Sequence, residues 1–368
     1  MSYPSKHLPR GTATFVLCFA LLFLLLTNSD LCLSEMKRGL SVCAGVLVPT
    51  LFPYMVISEM LVRADLGYYL GKILERPMRR IFGIGGSGAG ALALGIICGF
   101  PIGAKAAATL YSRGELSRSE CERLLAFCNY PSAPFVIFAV GKNLLGNTSL
   151  GIFLYVLNVT FGLILGALSS GKRADHTPTT EPFKPSQSKP FFRIFTESVA
   201  SAAAAVISVC ALVTFFTCAV GCLSAFEIIQ NAPTVKAIVF SFFELTSGVA
   251  ACAALPSRAL AAVLTAAAVG WSGMSVLMQI YSSFNAEKSV PSLAPYIGSR
   301  LISSLVCAIC TALAIIFFPA PLPAAATATN VFLDISTLPQ TFVCVANILF
   351  ILSLPISFNK KLDRRRKI

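Results

Sequence analysis

In the stretch CGFPIGAKAAATLYSRG, residues 98–114, an apolar run stops at Phe100-Pro101 and restarts with Lys105 in the first turn of the next helix. A lysine at a helix start opposes the helix dipole, whose positive end repels a cation unless an anion lies between them. An anion site is therefore expected at this break, with Phe100, Pro101 and Gly103 shaping it. Asn129, at a second break over 128–131, adds amide donors and an acceptor. Further on, Glu244 stands between VFSFF and LTSGVAA, with Thr246, Ser247, Ser272 and Gln279 as polar companions. Ionisable groups at the centre of a membrane helix cost at least about 2.5 to 3.5 kcal/mol each, so they normally have partners or tasks. Two plainer readings stay open: Lys105 and Glu244 form a purely structural ion pair, or Lys105 snorkels to an interface and no central anion is needed.

Such residues need interrupted helices to present them. The run up to Cys98 breaks at Gly99-Phe100-Pro101, a helix is expected over 102–113, and Gly114 closes it. Ser117-Arg118-Ser119-Glu120 is the S-x-x-E of a capping box and opens a second short helix through Ala126. At 1.5 Å per residue each piece is only about 17 Å long, roughly half a bilayer. The charged turn between them carries Arg113, Glu115, Arg118, Glu120, Glu122 and Arg123 and should reach water, which puts both breaks near the midplane. The second half repeats this plan. A helix from Val235 is interrupted over 244–248, a turn comes next at 255–258, a second piece runs over 259–269, and MSVLMQIY resumes after Gly270-Trp271-Ser272-Gly273. Corresponding broken segments in two halves point to a transporter whose site lies between repeats.

The expected fold is thus an all-α polytopic membrane bundle with two pseudo-repeats of broken helices and helical hairpins. The first repeat covers 12–168 with its hairpin at 99–131, and the second covers 191–358 with its broken unit at 244–273. A polar loop at 169–190 joins them, with a short segment, 1–11, in front and a basic tail, 359–368, behind. Composition supports the class: of 368 residues 56% are hydrophobic and 12% charged, with a mean hydropathy of +0.77. A soluble domain would carry about 25% charged residues. Apolar stretches near spanning length fall at 12–27, 40–62, 88–103, 150–168, 200–226, 235–255, 260–281, 301–318 and 342–356. Lys6 and Arg10 precede the first in the manner of a signal peptide, but no clean small-x-small cleavage site comes after it, so a retained helix is expected.

The net charge of +13 gathers in Lys172, Arg173, Lys184, Lys189 and Arg193, and in Lys360, Lys361, Arg364, Arg365, Arg366 and Lys367. Because these flank membrane segments, they read as cytoplasmic topology signals and no nucleic-acid partner is expected. The basic stretch 72–80 fits an interfacial amphipathic helix or an ordinary connector. Of thirteen cysteines, Cys98, Cys210, Cys218, Cys222, Cys307 and Cys310 lie in apolar runs and read as packing. Cys307-x-x-Cys310 lacks a second pair, and His7 and His176 both lie in polar segments, so no metal site is expected. Gly83-x-Gly85-x-x-Gly88 lacks a preceding strand and a following acid; Gly86-x-x-x-Gly90 and Gly95-x-x-x-Gly99 suggest close helix packing instead. There is no Walker lysine motif and no H-E-x-x-H, and neither an enzyme nor a cofactor is expected.

The run CGFPIGAKAAATLYSRGELSRSECERLLAFCNYPSAPFVIFAVG, residues 98–141, resembles the signature of YlbJ-type sporulation integral membrane proteins, which contain a nucleoside-recognition or Gate domain. VPTLFPYMVISEML, FFELTSG and WSGMSVLMQ keep the family's order, so the resemblance covers most of the chain. Tyr130-Pro131-Ser132 departs from the small turn expected after the asparagine. The resemblance implies a role in endospore formation, in the outer forespore membrane, and a link to moving dipicolinate into the forespore. It implies functional roles for Phe100, Pro101, Gly103, Lys105 and Asn129. Dipicolinate, an aromatic ring with two carboxylates, suits a half-helix N-terminus plus Lys105, with Phe100 or Trp271 to stack on the ring. Glu244 would be the counter-ion of Lys105 or a proton carrier. Two rivals remain: a nucleoside carrier using Asn129, Ser272 and Gln279, and a non-transporting scaffold for spore-envelope assembly. Besides the solute and the lipid bilayer, expected partners are a second copy or other sporulation membrane proteins.

Overall fold

In lipid, backbone N–H and C=O groups have only one another to bond, so uncharged runs of Ala, Leu, Val and Phe fold as helices. A computed structural model describes residues 10–64, 66–170, 190–284 and 290–317, and every regular element among them is helical. All of these residues belong to one unit, Met1–Phe332. The expected apolar stretch 342–356, the basic tail 359–368, most of the charged loop and both histidines lie outside the described residues.

The first elements are α1 (Arg10–Thr27) and α2 (Ser29–Val42), bent by 98° at Asn28. A π-helical turn, Cys43–Leu47, leads into α3 (Val48–Arg63), and α4 (Leu66–Pro77) comes next. Then come the short helices α5 (Gly88–Cys98), α6 (Ile102–Ser112) and α7 (Arg118–Phe127), a π-helical stretch Phe135–Leu144, and α8 (Thr148–Leu168). The capping box forms as expected: Glu120 N–H donates to the Ser117 hydroxyl at 3.3 Å, and Ser117 N–H donates to the Glu120 carboxylate at 3.0 Å.

The second half begins with α9 (Phe191–Leu223), whose 33 residues extend about 50 Å and exceed a hydrocarbon core of about 30 Å. It continues with α10 (Glu227–Gln230), α11 (Pro233–Phe243), α12 (Leu245–Ala253), α13 (Arg258–Trp271), α14 (Met274–Ser282) and α15 (Ala294–Phe317). Among the described residues, four segments are long and apolar enough to cross a membrane: Thr148–Leu168, Phe191–Leu223, Arg258–Ser282 and Ala294–Phe317, with a fifth if α1 and α2 form one bent span. The chain is a multi-pass integral membrane protein. The runs expected at 88–103 and 235–255 are not single spans, because Gly99-Phe100-Pro101 and Glu244 cut them.

Large side chains such as Phe19, Ile207, Leu305 and Ile316 project outward on apolar helices, where lipid is their natural solvent. Inside, one core draws on α3, α5, α6, α7, α9 and α14. A second joins Val136, Val140 and Leu144 of the first half to Leu245, Val249, Ala266 and Val269 of the second. Phe100 packs against both cores.

Candidate functional site

At the first break Gly99 has φ of +82°, a conformation that glycine adopts without penalty. A Cβ there would come within 2.6 Å of the Ser132 amide nitrogen. Phe100 N–H donates to the Tyr130 carbonyl at 2.7 Å. The break before α6 and the break after α7 therefore lie backbone against backbone. Gly95 and Gly103 close on the same point, and a side chain at either would overlap the Cys128 carbonyl oxygen. Asn129 is wholly buried; its Nδ2 donates to the Leu125 carbonyl at 3.1 Å, while its Oδ1 accepts no hydrogen bond among the described residues.

The second half builds the same crossing from different residues. Phe243 ends α11, and the Glu244 carboxylate caps α12, accepting from Thr246 N–H at 3.0 Å, Ser247 N–H at 2.6 Å and the Thr246 hydroxyl at 2.6 Å. A carboxylate there satisfies two end amides and the positive end of the helix together. Ser272 (φ +75°) and Gly273 (φ +90°) separate α13 from α14, and a Cβ on Gly273 would lie 3.1 Å from the Leu245 nitrogen. The two breaks of this half also touch through their backbones. Trp271 is already engaged: its Nε1 donates to the Phe242 carbonyl at 2.9 Å, and its ring stacks on Phe242.

Helices α8 and α15 tie the two crossings together. Gly162 of α8 abuts the Tyr130 ring, and one turn earlier Asn158 donates to the Val269 carbonyl at 3.2 Å. On α15, Arg300 faces Tyr130, while Ser304 donates to the Ala267 carbonyl at 2.9 Å and fills the space beside Gly270. Arg300 and Ser304 are about 6 Å apart along the helix axis.

The charges pair differently from the sequence expectation. The Lys105 ammonium lies 2.8 Å from Glu59 and donates to the Ser201 hydroxyl at 2.9 Å. Glu59 in turn lies 3.5 Å from Arg63, which meets Glu197 at 2.7 Å, and Glu197 meets Arg193 at 2.9 Å. This series of alternating charges joins α6, α3 and α9. Glu244 is therefore not the counter-ion of Lys105. Its oxygens are consumed by its own helix, whereas Glu59 projects from α3, which packs against α6.

Of the residues singled out from sequence, Phe100, Pro101, Gly103 and Asn129 meet at the first crossing, and Glu244, Thr246, Ser247 and Ser272 at the second. The Ser247 hydroxyl also accepts from Arg38 at 3.2 Å. Lys105 is engaged by Glu59 and Ser201, which belong to neither crossing, and Gln279 sits farther along α14, donating to Ser275 at 3.4 Å. Sequence reasoning missed Glu59, although a lone acid in VISEML is the same signal that marked Glu244. It also missed Arg300, the seventh residue of α15, which is 0% exposed. The Arg300 guanidinium carbon lies 5.4 Å from the centre of the Tyr130 ring and 5.9 Å from that of Tyr296. Its Nε, Nη1 and Nη2 have no hydrogen-bond partner among the described residues. Burying an uncompensated charge costs several kcal/mol, and each cation–π contact returns about 0.5 to 2 kcal/mol. Elsewhere, the thiols of Cys32, Cys218 and Cys222 converge within 4.8 Å of one another, a spacing that admits a thiophilic ion.

No protein-family model matches the chain, and no solved structure does. The sporulation integral membrane protein YlbJ of Bacillus subtilis (strain 168) is 38% identical to it over 133 residues. The YlbJ-type resemblance is borne out over that stretch, about a third of the chain and not most of it. That similarity covers 35% of this chain and 33% of the relative, so the match spans about a third of the YlbJ protein's length.

Proposed function

We propose that this chain is a sporulation-associated membrane transporter that moves a small anionic aromatic solute, dipicolinate, toward the forespore from the outer forespore membrane. The observation that carries the transport reading is the pair of backbone crossings, one in each half, tied together by α8 and α15. Irregular backbone at membrane depth is tolerated only where protein buries it or where it lines a cavity. Crossed half-helices, one pair in each half of the chain, are the arrangement in which many transporters hold their solute. The sporulation setting rests on the similarity to the sporulation integral membrane protein YlbJ. Dipicolinate and the Gate domain rest on the family resemblance of residues 98–141. Glu244 is the residue for coupling to a proton, since releasing its three hydrogen bonds would free the start of α12 to move.

The Lys105 to Glu59 pair favours a second reading, a nucleoside carrier, because a neutralised lysine makes no demand for an anion at the Phe-Pro break. The test is uptake of labelled dipicolinate, with a nucleoside in parallel, by liposomes containing the purified protein. Dipicolinate uptake supports the first reading, nucleoside uptake alone supports the second, and uptake of neither leaves a membrane scaffold.

A further inference from the structure

We propose that Arg300 is a buried carboxylate-binding site, at which one carboxylate of a small solute docks beside the first helix crossing. The guanidinium is completely buried, and all three of its nitrogens lack a hydrogen-bond acceptor among the described residues. Arginine keeps its charge in proteins, so it does not escape burial by giving up a proton as a lysine can. The flanking rings of Tyr130 and Tyr296 supply a negative π face but no acceptor for the in-plane N–H groups. That planar fork matches a carboxylate through two parallel hydrogen bonds.

The surroundings carry the same signature. The hydroxyls of Tyr130, Tyr296 and Ser303 are buried and without hydrogen-bond partners among the described residues. The three hydroxyls can donate to a bound carboxylate. These groups come from only two places in the fold, the break after α7 and the early turns of α15, and both contribute to the guanidinium's environment. Lys105 fails the same criterion, since Glu59 and Ser201 already satisfy it. The anion expected from the sequence thus moves from α6 to α15. Arg300 touches the first crossing, and Ser304, one turn on, packs against Gly270 of α13, two residues before the second break, so α15 links the site to both halves. For the identity of its solute this inference rests on the transport reading.

The test uses the whole purified chain in detergent and chloride-free buffer, with dipicolinate, benzoate and sodium chloride as separate probes, read by calorimetry and thermal unfolding. Dipicolinate and benzoate are expected to bind and to raise the unfolding temperature. Arg300→Lys, which keeps a charge but loses the fork, is expected to weaken binding on the order of tenfold or more, and Arg300→Gln to abolish it. Should Arg300→Gln not fold, Arg300→Lys and Tyr296→Phe carry the test. Binding by the variants as tight as by the parent overturns the site, and a chloride effect equal to that of dipicolinate overturns the carboxylate assignment. Uptake by parent liposomes together with unaltered binding by the variants sinks the site and leaves the transport reading standing. Arg300-dependent binding without uptake does the reverse.

Discussion

Glu244 shows what one side chain does when a helix must start inside the membrane. Its carboxylate serves two amides and a hydroxyl that would otherwise be orphaned, each at a cost of about 1 to 3 kcal/mol. Glu244→Ala is expected to lower the unfolding temperature in detergent more than Glu244→Gln, which keeps one acceptor oxygen; equal losses would remove the capping role. Lys105→Ala leaves Glu59 without its nearest cation, so the double variant Lys105→Ala, Glu59→Ala is expected to lose less stability than the two single variants added together. A double-mutant cycle reads that coupling, expected at about 0.5 to 3 kcal/mol for residues in one charge network. At this scale Glu244 was legible in the sequence because a lone acid in an apolar run is conspicuous. The true partner of Lys105 was not, since pairing across distant helices leaves no local trace: Lys105 and Glu59 are 46 positions apart in the chain.

Among the elements, the breaks were the most legible feature, because Gly99, Pro101 and Gly273 act through their own backbone preferences. The capping box at Ser117 was legible for the same reason. What escaped is that the two breaks of each half touch, a consequence of packing and not of spacing. Gly103→Ala and Gly95→Ala test that contact. Each pushes a methyl group onto the Cys128 carbonyl, and overpacking of this kind costs about 1 to 3 kcal/mol or more; a monodisperse, fully stable Gly103→Ala protein would contradict the crossing. The polar turn between α6 and α7 offers a pH test. Burial pushes the Glu120 carboxyl up, but the Ser117 and Gly85 amides, the Ser117 hydroxyl and Arg123 outweigh it and hold it below its ordinary 4.5. A depressed value means that the stabilisation is present above the unfolded value and lost as pH falls through the folded one. Glu120→Gln should therefore flatten the acid side of a plot of unfolding temperature against pH.

For the whole molecule, composition alone established a multi-pass helical protein, while apolar length counted 88–103 and 235–255 as spans because broken segments are as hydrophobic as continuous ones. Arg300 escaped notice since a charge near a helix start looks like an interfacial anchor until the fold shows it buried. Cys98 and Cys128 report on the molecule's working state. Both are buried, so a water-soluble maleimide is expected to label neither at rest and to label Cys128 faster when dipicolinate is present. Labelling rates indifferent to dipicolinate would favour the scaffold.

The carbonyl of Cys128, lodged between Gly95 and Gly103, also bears on how the chain is made. Helices α5 and α6 leave the ribosome before the group that fills the gap between them, and neither is long enough to rest in lipid with its backbone ends satisfied. Cys98 and Cys128 are 30 positions apart in the chain. Until Cys128 is translated the hairpin lacks the group that fills its gap, and its release into the bilayer is expected to wait for the second break.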